Sequence, residues 1–364
     1  MTGTHRAIVR HGPAVRVEER STRSPSAGEL LLAPERVSLC GTDIQILRRD
    51  RDDPSEIVGH EGAARVAAVG SGIDGFAVGD RVVVNPTHPS DPSFLLGHNV
   101  EGLFQERVII GASAVDGGLV SPLPEDLPSG RATLVEPFAV VRYALSCLAI
   151  AAPDTLVIHG DGLIGNLAAL TAPHLLFPTV RVIVIHRSEV GLRWTQRHLP
   201  GTINLLEGDS ALADHVGDSA ALLVATHRGG TVRAIESALT TLGARVVAAH
   251  PIGGVPAKAT SELLPGIDIS GVRQANTGGP WPPATITFAA PGRRVALTGN
   301  RGVTSDQLIA SATALRTWDD SIDLLLTHTV GIEESIHYFN TIIATRTRIV
   351  DGELVLRLVV ALDR

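Results

Sequence analysis

One run constrains this chain more than any other: Thr155-Leu156-Val157-Ile158-His159, then Gly160-Asp161-Gly162-Leu163-Ile164-Gly165. Five residues that read as a short buried strand meet three glycines spaced G-x-G-x-x-G, and an Ala/Leu-rich helix follows from Asn166 to Ala172. Between a strand and a helix, that spacing supplies a tight turn, a close backbone approach to a pyrophosphate and close helix–strand packing. The helix N-terminus offers unpaired N–H groups and a favourable dipole to phosphates. Binding of a dinucleotide by Gly160, Gly162, Leu163, Ile164 and Gly165 is expected. A plain tight turn is the alternative, because glycine is abundant, with 37 in 364 residues.

The pattern downstream agrees. A strand at Arg181–Ile185, a further element at Ala220–Ala225, a helix at Val232–Leu242 and a strand at Arg245–Ala249 alternate as a parallel sheet covered on both faces requires. An NAD-binding fold carries an acid about 20 residues beyond the glycines, where it accepts hydrogen bonds from ribose hydroxyls. Here Ile185 is followed by His186-Arg187-Ser188, and Glu189 comes three positions too late. Arg187 and Ser188, with His186, suit a 2′-phosphate, so NADP is preferred and NAD remains open. The alternative makes the three solvent-exposed loop residues.

The N-terminal part reads differently. From Ala7 to about Leu119, short apolar strands (Leu30–Leu32, Ala64–Val69, Arg81–Val84, Glu106–Ile110) alternate with Gly, Pro, Asp and Asn, as in an all-β region with tight turns. Arg131–Ile150 reads as a linking helix. The tail resumes with a strand at Arg294–Leu297, a helix near Ser305–Leu315 and a closing strand at Leu354–Ala361. Residues 256–292 are harder to read, and Gly278-Gly279-Pro280-Trp281-Pro282-Pro283 cannot be regular structure in its middle.

Composition removes whole classes of function. The length suits two domains. A net charge of −7 gives no bulk attraction to nucleic acid or anionic membrane. Among 31 basic residues all but Lys258 are arginine, which leaves Schiff-base chemistry one residue and no phosphate loop of the G-K-[ST] kind. Two cysteines, Cys40 and Cys147, exclude a disulfide framework and a four-cysteine zinc lobe. No signal peptide or membrane-length apolar run is read. A cytoplasmic protein acting on a small molecule, with no nucleic-acid or membrane partner, is expected.

A second chemical signal lies in the β-rich part. Cys40-Gly41-Thr42-Asp43 is followed by Gly59-His60-Glu61 and, before the linking helix, by Glu136-Pro137. Thiolate, imidazole and carboxylate together suit zinc, and three protein ligands with one open position make a catalytic rather than a structural site. Any one of them alone would more often be structural.

These stretches resemble a medium-chain dehydrogenase/reductase of the zinc-dependent alcohol and polyol type. The resemblance runs in order through Cys40–Asp43, Gly59–Glu61 to Gly70 and Ile73, Gly79-Asp80-Arg81-Val82, Gly102–Glu106, Leu134–Pro137, Gly160–Gly165 and Leu325–His328. It implies a GroES-like β-barrel catalytic domain (1–150 and, returning, 293–364) with an inserted Rossmann domain (151–292). It implies one catalytic zinc on Cys40 and His60, with Glu61 and Glu136 alternating as ligand or holding its water, as in sorbitol- and threonine-dehydrogenase-like members. Thr42 falls at the proton-relay position, and Asp43 at that of a residue orienting a ligand. Glu106 falls where sugar-oxidising relatives contact substrate, a strand-edge charge being the alternative. The implied reaction is reversible hydride transfer between a secondary alcohol (polyol, sugar or cyclitol) and NAD(P), in a homo-oligomer.

Three departures stand out. Ala64 replaces a glycine of the G-H-E-x-x-G pattern. Asn85–Glu101 takes the place of the structural zinc lobe without its cysteines, so no structural zinc is expected. His88 and His98 in that loop read as surface residues, with substrate contact as the alternative. The Gly266–Arg293 stretch is longer and richer in Pro and Gly than usual. Cys147 reads as a core residue. The rival readings are a zinc-free quinone or enone reductase of the same superfamily and a non-catalytic nucleotide sensor.

Overall fold

The computed structural model of the chain describes residues 3–362. They divide into two units: the residues up to Pro137 together with those from Thr304, and Phe138–Val303. The first division falls inside helix Val135–Ala149, which a short turn at Ser129–Ala132 precedes where one linking helix was expected.

The first unit opens with a hairpin of strands β1 (Gly3–His11) and β2 (Ala14–Thr22). Strands β3 (Leu30–Ser38), β4 (Glu61–Val69), β5 (Arg81–Val84), β6 (Val108–Ile110) and β7 (Val120–Pro122) follow. Leu30, Leu32, Val66 and Val84 from these strands share one core with Phe104 and Phe339, whose rings meet edge-on at 5.1 Å. Burying side chains of this size stabilises by about 1.5–3 kcal/mol each.

In the second unit, β8 (Thr155–His159), β9 (Arg181–His186), β10 (Ile203–Leu206), β11 (Ala220–Val224), β12 (Val246–Pro251), β13 (Ile286–Ala290) and β14 (Arg293–Leu297) make one sheet in the order β10-β9-β8-β11-β12-β14-β13. All pairs are parallel except β13–β14 at the edge. Strands β8 and β11 are buried throughout, as a parallel sheet covered on both faces demands. The strand order reverses between β8 and β11, and such switch points open a crevice at the carboxyl ends of the strands. Arg293–Leu297, expected in the C-terminal return, belongs instead to this sheet: Ala248 and Ala249 pair with Ala296 and Leu297, and Val295 and Leu297 enter this unit's core. Helix Ile269–Gln274, capped by Asp268, and the exposed strand β13 fill the stretch that had no sequence reading.

From Thr304 the chain adds helix Ser305–Arg316, β15 (His328–Gly331), helix Ile332–Thr345, the small pair β16 (Ile349–Val350) and β17 (Glu353–Leu354), and β18 (Leu358–Ala361). The first unit's larger sheet runs β15-β18-β3-β4-β5-β7, with β6 also on β3. The cysteine-free loop 85–101 is held by its own packing. Phe94, Leu95 and Leu96 are buried, Leu96 N–H donates to Pro86 O at 3.0 Å, and Thr87 bridges to Leu95. Among the described residues no helix is long and apolar enough to cross a membrane.

Candidate metal centre and nucleotide loop

Strand register brings the metal-site residues together. In the antiparallel pair β3–β4, Ser38 lies opposite Glu61, so the residues just past the end of β3 meet those that begin β4. Cys40 is the N-cap of helix Gly41–Leu47: Thr42 N–H donates to its Sγ at 3.5 Å, and Cys40 N–H donates to Asp43 Oδ2 at 2.9 Å. This reciprocal box fixes the thiol and buries Asp43. The other Asp43 oxygen accepts from Gly59 N–H at 3.1 Å and lies 3.3 Å from His60 Nδ1. One carboxylate thus ties the Cys40 turn to the Gly59 turn and stands beside the imidazole.

Cys40, His60 and Glu61 each turn a ligand atom inward, all within 4.8 Å of one another. A tetrahedral zinc with bonds of about 2.0–2.3 Å spaces its ligand atoms by roughly 3.3–3.8 Å, so the set is close to closing on such an ion. Soft sulfur, borderline nitrogen and hard oxygen together fit zinc. Glu136, at the start of helix Val135–Ala149, is not among these three. Burial and the Glu61 carboxylate push its carboxyl up to about 7.

The electrostatics agree with a site made for a cation. Burial and Glu61 raise the Cys40 thiol above its ordinary range. Burial opposes charge on His60, but Asp43 outweighs it and holds the ring's pKa well above normal. Burial would raise Asp43, yet His60 and the Cys40 N–H keep it low. A bound dication would take the place of the thiol proton.

Two neighbours escaped the sequence reading. Arg357, 1% exposed, sets Nη1 2.5 Å from Glu61 Oε2, and its Nη2 donates to Thr133 O at 2.8 Å. The register of β18 on β3, Val359 opposite Ser38, carries it to the level of Cys40. Its signal was an arginine inside the apolar run Leu354–Val360. His98 is buried, not on the surface: its ring centroid lies 5.5 Å from that of His60, and its Nδ1 3.4 Å from Asp53 Oδ1. Burial and His60 lower it to about 4. His88 is partly exposed, with Nε2 3.3 Å from Ser113 O. Thr42 is half-buried on the first helical turn. Glu106 is engaged by Arg6, at 2.8 Å from the backbone N–H and at 2.6 and 2.9 Å from the guanidinium. A cavity of about 560 Å³ in the same unit, lined by His5, Phe94, Gln105 and Arg107 among others, includes none of Cys40, His60 or Glu61.

In the second unit the glycine run behaves as its spacing implies. Gly160 has φ +119°, and a Cβ on Gly165 would come within 1.8 Å of Gly160 O. A Cβ on Gly162 would meet nothing within 4 Å. Gly162 caps the 13-residue helix Leu163–Leu175 without a side-chain hydrogen bond, and helix N-termini of this kind suit an anion. Leu163 is buried beneath the turn. Of the proposed phosphate trio, His186 is fully buried with Nε2 2.7 Å from Asn204 Oδ1 and Nδ1 3.3 Å from Asp161 Oδ2. Ser188 caps helix Glu189–His198, and Arg187 is exposed. Cys147 is buried and free, its thiol pushed up to about 12 by burial.

Comparison with known proteins matches residues 26–119 to the alcohol dehydrogenase GroES-like domain. Sorbitol dehydrogenase of Bacillus subtilis is 27% identical over 314 residues, 79% of this chain and 86% of that protein. The chain is thus similar to zinc-type members of the medium-chain dehydrogenase superfamily. Other relatives are sorbitol dehydrogenase of Bombyx mori (28% identical, 47% of this chain, 54% of that one) and L-threonine 3-dehydrogenase of Stenotrophomonas maltophilia (28%, 44% and 51%). The chain spans about half the length of these two. Its fold matches an Escherichia coli alcohol dehydrogenase solved with NADH, at 19% identity and TM-score 0.71 over 99% of this chain and all of that one. It also matches 2R,3R-butanediol dehydrogenase from B. subtilis, at 18% identity and TM-score 0.70 over 99% of both.

Proposed function

We propose that this chain is a zinc-dependent oxidoreductase that moves a hydride reversibly between a secondary alcohol and NAD(P), on a polyol, sugar or cyclitol. The observation that carries this reading is the convergence of Cys40, His60 and Glu61 on one point. Zinc there would supply Lewis acidity to an alcohol or carbonyl oxygen, and the nicotinamide would accept or return the hydride. Asp43 holds the His60 ring in place, as metal-bound histidines require. The Thr42 hydroxyl, on the turn capped by Cys40, passes the substrate proton outward. The Glu136 carboxyl, at about 7, holds or releases a proton near neutrality. One zinc per chain is proposed, since loop 85–101 stands without cysteine ligands. The solvent-facing edge strand β13 supports a homo-oligomer.

The test is a panel of polyols, sugars and cyclitols with NAD⁺ and NADP⁺ on zinc-replete protein. Reduction of the nicotinamide by a secondary alcohol, abolished by Cys40→Ser, is the expected result. Silence across the panel together with quinone or enone reduction would overturn it.

A further inference from the structure

The carboxylate that the sequence lacks after β9 is present in space. Asp161 lies within the glycine run, yet its Oδ2 is 3.3 Å from Nδ1 of His186, the last residue of β9. The second strand's end is where an NAD-binding fold places the acid that accepts from the adenosine ribose. We propose that Asp161 is this chain's ribose-recognising carboxylate and that it selects NAD(H) over NADP(H). The inference rests on the dinucleotide-binding reading above.

The position of Asp161 is built, not incidental. The buried His186 ring is braced on its far side by Asn204, whose amide Nδ2 is held by Thr202 Oγ1 at 2.9 Å. On the other flank the carboxylate lies on the first turn of helix Glu189–His198, whose N–H end favours negative charge. A Cβ on Gly191 in that turn would fall 2.0 Å from Asp161 Oδ2, so a glycine keeps the place open. The Asp161 backbone is tied down as well, its carbonyl accepting from Asn166 Nδ2 at 2.8 Å. The side chain is still 22% exposed, enough to meet a ligand.

The surroundings disfavour a 2′-phosphate. Glu189 opens the adjacent helix, and Glu207 follows β10 with its N–H on His186 O at 2.8 Å. Arg187, exposed, is the one cation between β9 and that helix left to offer a phosphate, since Arg193 is paired with Glu189 at 2.9 Å. Ribose hydroxyls donate to a carboxylate, whereas a phosphate ester at the same place can only repel it.

The experiment is equilibrium titration of the purified full chain with NADH and NADPH by nicotinamide fluorescence. Calorimetry with ADP-ribose and its 2′-phosphate then isolates the adenosine end. NADH and ADP-ribose should bind about tenfold tighter or more than their phosphorylated counterparts, the scale of one charge-assisted hydrogen bond. Asp161→Asn should weaken NADH by about tenfold and tighten NADPH, whose 2′-phosphate no longer meets a like charge. Arg187→Ala serves as a control that moves NADPH alone. Wild-type protein binding NADPH as tightly as NADH overturns the proposal without any variant. An equal loss of both ligands in Asp161→Asn also overturns it, by making Asp161 a support of the loop. Failure of either nucleotide to bind would instead sink the dinucleotide-binding reading.

Discussion

Glu61 and Arg357 form a buried ion pair, their closest atoms 2.5 Å apart and their side chains 3% and 1% exposed. Removing one partner of such a pair strands the other charge away from water, which costs far more than the pair itself contributes. Arg357→Met should destabilise the metal-free protein by about 3–5 kcal/mol in urea unfolding. Adding Glu61→Gln should recover much of that loss, because the two changes share one interaction. Additive losses in the double variant would show that the contact is not coupled.

Asp43 lies beside His60 and closes the Cys40 turn, so it would act through both on a metal held there. Asp43→Asn keeps the shape and removes the charge, so zinc affinity should fall by about 10–100-fold in chelator competition. An unchanged affinity would mean that Asp43 only caps its helix.

Neighbouring glycines should respond in opposite ways. Gly165→Ala forces a Cβ against Gly160 O and should lower the melting temperature and abolish nucleotide binding together. Gly162→Ala meets open space with an ordinary backbone, so the fold should melt unchanged while nucleotide affinity drops by about tenfold or more. A Gly162→Ala protein that binds nucleotide normally would move the phosphate site elsewhere.

His159, the last residue of β8, is buried with Nε2 unpartnered, and burial lowers it from 6.5 to about 4. Between those values the unfolded chain takes up a proton that the folded one refuses, so stability falls as pH drops through this window. At about 1.4 kcal/mol per unit, the loss reaches at most roughly 3 kcal/mol. His250, also lowered to about 4 by burial, adds a loss of the same sign. Urea unfolding of His159→Leu should show a shallower acid dependence than wild type; an identical slope would contradict the assignment.

Much of this was legible because local chemistry and tertiary position coincide. Val157 and Ile183 read as apolar runs and form strands buried on both faces, and the glycines between β8 and its helix are where their spacing requires them. Cys40, His60 and Glu61 converge because each sits at a strand end, which apolar patterning marks. What stayed hidden depends on partners distant in sequence. His98 is buried because its loop folds back beside His60, and no local pattern in a proline-punctuated loop encodes that. Arg357 finds Glu61 only through the register of β18 on β3. Strand β13 is exposed or half-buried at every position, so no burial pattern marked it in the sequence, and it lay within a stretch with no regular reading.

The central claim is that Cys40, His60 and Glu61 hold a metal ion. Elemental analysis of protein purified without chelators, followed by zinc titration of stripped protein, tests it most directly. About one tightly bound zinc per chain, lost in both Cys40→Ser and His60→Ala variants that remain folded, is the expected result. Folded wild-type protein that carries no zinc and takes none up on titration would contradict it.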